Sequence, residues 1–148
     1  MRRTSLLFLM LAAFAGCSGT ARADCTAADF SAAVDRSGAA LRDASRTFQP
    51  KFQERLRRFQ AAKGLGDADY EAAGLEAIQD KKIEDLDAKS SELLIKIDGL
   101  GRIPDGKEPV CSELGDIERL SNELLAVMRE KSDYMLARVD AKIVEAGG

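Results

Sequence analysis

The sequence predicts an all-α protein, an elongated up-down-up three-helix bundle of coiled-coil character. Three observations carry this. Apolar residues recur at gaps of three and four over long stretches. Two glycine-containing breaks, Gly64-Leu65-Gly66 and Gly99–Ser112, divide those stretches. Two cysteines, Cys25 and Cys111, stand just before the predicted first and third helices.

The first helix is expected from about Ala27 to Lys63. Thr26 followed by Asp29 resembles a capping box with Asp in place of Glu. Its stripe is Phe30, Val34, Leu41, Ala44, Phe48, Phe52, Leu56 and Phe59. Pro50 removes the bond to the Arg46 carbonyl, which costs about 3 kcal/mol in a helix interior. The stripe crosses it nearly in phase. A kink near Thr47–Pro50 is therefore expected, with two collinear helices as the alternative.

Gly64-Leu65-Gly66 should end that helix and Asp67 should cap the next, from Ala68 to about Asp98. Leu75, Ile78, Leu86, Leu93, Ile97 and Leu100 share its face, with Ile83 and Leu94 at the edge. Gln79 and Lys82 interrupt that stripe. Pro104 and Pro109 keep Gly99–Ser112 from continuing as helix. Ser112 is positioned to cap a third helix from Glu113 to about Glu145. Its stripe is Ile117, Leu120, Leu124, Met128, Met135 and Val139, with Lys131 and Lys142 inside it.

Short and long connections fix the topology. The tight first turn makes an antiparallel hairpin, and the longer second loop returns the chain parallel to the first helix. The starts of the first and third helices then meet at one end, and a structural disulfide between Cys25 and Cys111 follows. Closing a loop of roughly 85 residues is worth about 4 kcal/mol in the chain-entropy model. With no C-x-x-C and no His beside either cysteine, a redox role is not expected. Within the hairpin, Arg55 should lie level with Glu76 and Lys51 with Asp80, setting the register. The same basic run, which includes Arg42, Arg46, Arg57, Arg58 and Lys63, has a second reading as a patch for anionic lipid.

Residues 1–23 carry the marks of a secretory signal: Arg2 and Arg3, an apolar run from Leu6 to Ala15, then small residues. Cleavage after Ala23 would leave a single domain, 24–148, beginning at Asp24. Phe14-Ala15-Gly16-Cys17 also resembles a lipoprotein box, with Cys17 acylated and the protein held at the membrane. Either way a periplasmic or secreted bacterial protein is expected. Losing Arg2, Arg3 and Arg22 takes the formal charge from −3 to −6. That sign argues against a nucleic-acid partner.

The chemistry is mainly one of missing parts. The sequence has no His, no G-x-S-x-G elbow and no glycine-rich phosphate loop. Glu84, Asp85 and Asp87 spread around a helix, and Asp98-Gly99-Leu100-Gly101 lacks the alternating ligands of a Ca²⁺ loop. No catalytic, cofactor-binding or metal-binding residue is assigned, and an enzyme is not expected. The leading expectation is an exported, non-catalytic interaction or scaffold module that binds another protein or its own copy. The alternative is a bundle holding a small hydrophobic or lipid ligand, lined by Phe48, Phe52 and Phe59.

Overall fold

The computed structural model describes residues 25–147. The expected signal segment 1–23, the Ala23–Asp24 junction and Cys17 lie outside them. Among the described residues there are four α-helices and no strand: α1 (Ala27–Lys63), α2 (Tyr70–Ile78), α3 (Lys81–Gly101) and α4 (Cys111–Glu145). The helical bundle read from the sequence is the fold.

Helix α1 starts as its sequence predicts. Thr26 Oγ1 accepts from the Asp29 N–H at 3.3 Å, and the Thr26 N–H donates to Asp29 Oδ2 at 2.7 Å. The helix is continuous through Pro50, so the alternative of two separate helices falls away. Gly64 ends it at φ 64°, in the left-handed region, and its N–H and that of Leu65 return to the last carbonyls.

The predicted second helix is two. It breaks at Gln79-Asp80, because in one straight helix Ile78 and Ile83, five residues apart, would point about 140° away from each other. The break turns both toward α4, and both are buried. Leu75, counted in the stripe, is left exposed, while Ile83, placed at its edge, is core. Two predicted caps also differ. Asp67 lies before a further turn and accepts from Gln60 Nε2 at 2.8 Å, and α2 starts only at Tyr70. Ser112 sits inside the first turn of α4, which starts at the half-cystine Cys111 after Val110.

Contacts give the helix directions. Along α1 and α4 the partners are Cys25–Cys111, Arg36–Glu118, Ser37–Ser121 and Arg55–Asp140, a nearly constant offset of 82 to 86 residues. The two helices are parallel and in register over most of their length. Along α3 the partners run backwards: Lys82–Glu130 and Lys89–Glu123. α3 is antiparallel to α4. The up-down-up order therefore holds, but α4 is its centre, with α1 on one side and the α2–α3 arm on the other.

This arrangement corrects the expected hairpin pairs. Arg55 meets Asp140 at 2.9 Å, not Glu76, and Asp80 meets Tyr134 and Arg138 rather than Lys51. Of the basic run on α1 only Arg55 pairs with α4, while Arg42, Arg46, Lys51, Arg57, Arg58 and Lys63 stay exposed. Lys131 and Lys142, inside the predicted stripe of α4, are paired with Asp87 and Glu145. Neither leaves a bare cation in the core.

Two hydrophobic clusters hold the bundle. Near the disulfide, Phe30 and Ala33 pack with Leu93 and Ile97 of α3 and with Ile117, Leu120, Leu124 and Val127 of α4. At the other end, Leu56 and Phe59 pack with Ile78, Val139 and Ile143. Between them α1 has no fully buried residue from Val34 to Arg55. The bundle has a waist.

The disulfide lies at the outer end of the first cluster, with a Cα–Cα distance of 5.4 Å, inside the range a disulfide spans without backbone movement. Replacing both cysteines by serine should lower stability by about 4 kcal/mol, read from urea unfolding followed by circular dichroism. Two glycines make a contrasting pair. A Cβ at Gly74 would stand 2.3 Å from Leu56 Cδ2, whereas one at Gly115 would meet nothing within 4 Å. Gly74→Ala should destabilise by about 1–2 kcal/mol through overpacking a buried leucine. Gly115→Ala should stabilise by about 0.5–1 kcal/mol through helix propensity, as measured in the same assay.

Candidate functional site

The densest polar cluster sits where α2 gives way to α3. Asp80 caps α3 by accepting from the Ile83 N–H at 3.1 Å, and accepts from the Tyr134 hydroxyl at 2.6 Å. Arg138 lies 3.6 Å from the same carboxylate and donates to the Ala77 carbonyl at 3.1 Å, one of the orphan carbonyls at the end of α2. Lys82 lies over the Tyr134 ring, 4.6 Å from its centre. Asp80 thus caps α3, and α4 supplies Arg138 to the end of α2 and Tyr134 to hold Asp80.

The electrostatics of this cluster favour structure over proton transfer. The Tyr134 hydroxyl, then the Ile83 N–H, hold the Asp80 carboxyl below its usual value. The bond to Asp80, then burial, push Tyr134 above its own. Each group is driven further into the protonation state it already has near neutral pH, the opposite of a tuned acid–base pair. Among the described residues no group of three or more Cys, Asp or Glu is placed to hold a metal ion. No helix among them is long and apolar enough to cross a membrane.

The second feature is a groove at the waist, between α1 and α4 on the side away from α3. It has a volume of about 530 Å³ and is open to solvent along its length. Its floor is Ala40, Ala44, Phe48, Leu125 and Leu136, all half-buried. The Thr47 hydroxyl is bonded to the Asp43 carbonyl and that of Ser132 to the Met128 carbonyl, so neither asks for a partner in the groove. Asp43 and Lys51 edge it from α1, Arg129 and Asp133 from α4.

A groove of similar size lies between α3 and α4, lined by Lys89, Glu92, Lys96, Asp116, Arg119 and Glu123. There the charges are matched within the chain: Lys89–Glu123, Lys96–Glu92 and Arg119–Asp116. At the waist they are not. Among the described residues Lys51, Arg129 and Asp133 form no ion pair, and Asp43 has only an exposed contact to Arg46 at 3.7 Å. This difference singles out the α1–α4 groove.

The three phenylalanines expected to line one ligand cavity do not share one. Phe59 is core, Phe52 packs against the same cluster, and Phe48 alone borders the groove, stacked on Phe52 at 5.2 Å between ring centres. Cys25 and Cys111 are joined, as predicted. The groove was not visible as a site in the sequence. No residue pattern marks it, because Phe48 lies on α1 and Leu125 and Leu136 on α4 and only the packing of the two helices brings them together.

The joint generates a pH prediction. A carboxylate whose folded pKa is lowered adds stability above its unfolded value, near 3.8, and that stability is lost as the pH falls through the folded value. Asp29, Glu92 and Glu145 are lowered by their own hydrogen bonds and act in the same direction. Asp80→Asn keeps a capping side chain but no charge. Its urea midpoint should therefore start lower than wild type at pH 7 and fall less steeply between pH 5 and pH 3, the two curves converging in acid.

Comparison with protein-family models, with curated proteins and with solved structures finds no match to this chain.

Proposed function

We propose that this chain is an exported, non-catalytic interaction module of the bacterial cell envelope, which engages a protein surface through the α1–α4 groove. The observation that carries the proposal is the mismatch at the waist. A half-buried apolar floor is flanked by Lys51, Arg129 and Asp133, which form no ion pair among the described residues, whereas the charges around the neighbouring groove do. Charges across a protein interface are arranged as complements, which steers encounter and fixes register.

Export is supported by two features. The leader-like residues 1–23 precede the first helix. A disulfide closing the bundle fits an oxidising compartment. A cleavage product starting at Asp24 and a chain acylated at Cys17 both leave the groove free, about 33 Å from the disulfide end along α1. The lack of His, and a polar joint tuned away from proton exchange, support a role without catalysis. The groove is open rather than enclosed, which favours a protein surface over a buried lipid.

Site-specific photo-crosslinking in the source cell tests this. A photoreactive residue replacing Glu84 or Thr47 should yield discrete protein adducts only from Thr47, because the exposed Glu84 lies on α3, which lines no part of the groove. Adducts of equal yield from both positions, or none from either, would remove the groove as the interaction site.

A further inference from the structure

We infer that the occupant of the α1–α4 groove is a second copy of this chain, docked antiparallel about a two-fold axis that crosses the groove at Thr47. The inference rests on the interaction reading above and names its partner.

The argument is one of symmetry in the lining. Parallel helices with an offset near 84 allow each residue of α4 to be placed level with a position on α1. Asp43 stands four residues before Thr47 and Lys51 four residues after it. On α4, Arg129 and Asp133 stand level with positions 45 and 49, two before and two after the same point. Leu125 and Leu136 fall level with about 41 and 52, again on either side of it. Phe48 is one residue from the centre. Three independent pairs of groove residues share one midpoint.

A half-turn about an axis lying across the groove at that midpoint sets α1 against α1 and α4 against α4, both antiparallel. Asp43 then faces Lys51 of the other copy, and Arg129 faces Asp133 of the other copy, each contact occurring twice. Leu125 meets Leu136, and the two Phe48 rings meet near the axis. The small side chains Ala40 and Ala44 let the backbones approach. Every charge left unmatched at the waist gains an opposite partner, and the half-buried floor is covered by itself. A two-fold axis along the helices would instead set α1 against α4, and would bring neither Leu125 to Leu136 nor the two Thr47 side chains together.

Asp43 and Lys51 do not pair with each other within one molecule. Asp43 and Lys51 are eight residues apart on a single helix, about 12 Å along its axis, outside ion-pair reach. Within the chain each reversed residue faces its like across the groove, at Arg129 or Asp133, so restoration by the double swap reports on contact between copies.

The test is sedimentation equilibrium of the purified protein with its disulfide intact, for wild type, Asp43→Lys, Lys51→Asp and the doubly substituted chain. Wild type should show a monomer–dimer equilibrium. Each single reversal should weaken the dimer by about tenfold or more, and the double swap should return it to near the wild-type constant. Thr47→Cys should form an interchain disulfide under mild oxidation, while Glu54→Cys, about 21 Å from its own copy in this arrangement, should not. A wild-type monomer at every concentration overturns the dimer. So does a dimer indifferent to the single reversals or not restored by the double swap, or one cross-linked equally through both cysteines. Groove adducts to a different protein in the cell, alongside a purified monomer, would overturn the self-pairing and leave the interaction reading standing.

Discussion

The rest of the structure depends on the parallel alignment of α1 and α4. The two helices are 37 and 35 residues long, and the Cys25–Cys111 bond fixes their starts at one level. From that point the offset between partners stays within a few residues, through Arg36–Glu118 and Ser37–Ser121 to Arg55–Asp140. Exposed ion pairs of this kind contribute at most about 1 kcal/mol each. Their value is positional, since a one-turn slip would separate all of them at once. The apolar clusters supply the stability, and the charges select which register the clusters adopt.

Fixing α1 on α4 leaves the α2–α3 arm to accommodate the remaining surface, and the joint at Gln79-Asp80 follows from that. α2 must cover Leu56 and Phe59, while α3 must cover Phe30 and the early part of α4. One straight helix cannot present Ile78 and Ile83 to both. Breaking it exposes carbonyls at the end of α2 and N–H groups at the start of α3, and unsatisfied backbone groups are costly when shielded from water. Arg138 and Asp80 answer one group of each kind, with Tyr134 holding Asp80 in place. The cluster that most resembles an active site in its density of polar groups is thus a structural consequence of a change in helix phase.

Much of this was legible in the sequence. The capping box at Thr26, the left-handed Gly64, the ends of α1 and α4 and the disulfide all rest on local chemistry or on spacing, and each stands close to where the residues put it. The joint was not read, though Gln79 and Lys82 interrupt the stripe there and Asp80 is a good N-cap. A polar residue inside an apolar stripe has two explanations, a long stem reaching water or a break in the helix. Lys131 and Lys142 are the first kind and Gln79 is the second. Sequence spacing does not separate them, because the choice is made by α4. The hairpin ion pairs failed for the same reason: level positions on adjacent helices meet only if those helices are each other's main partners, and α1 packs chiefly on α4.

The waist was legible in neither way, because it is a property of three elements together. Two helices in contact bury a seam, and a third covers one side of that seam. α3 covers one side of the α1–α4 seam, and on the other side Ala40, Ala44 and Phe48 of α1 stay half-buried. A monomer optimised only for its own stability would place larger residues or matched charges there, as it does in the groove between α3 and α4. Ala40, Ala44 and unpaired Lys51, Arg129 and Asp133 do the reverse. They lower what the isolated chain gains at its waist and leave a half-buried apolar floor edged by charges of both signs.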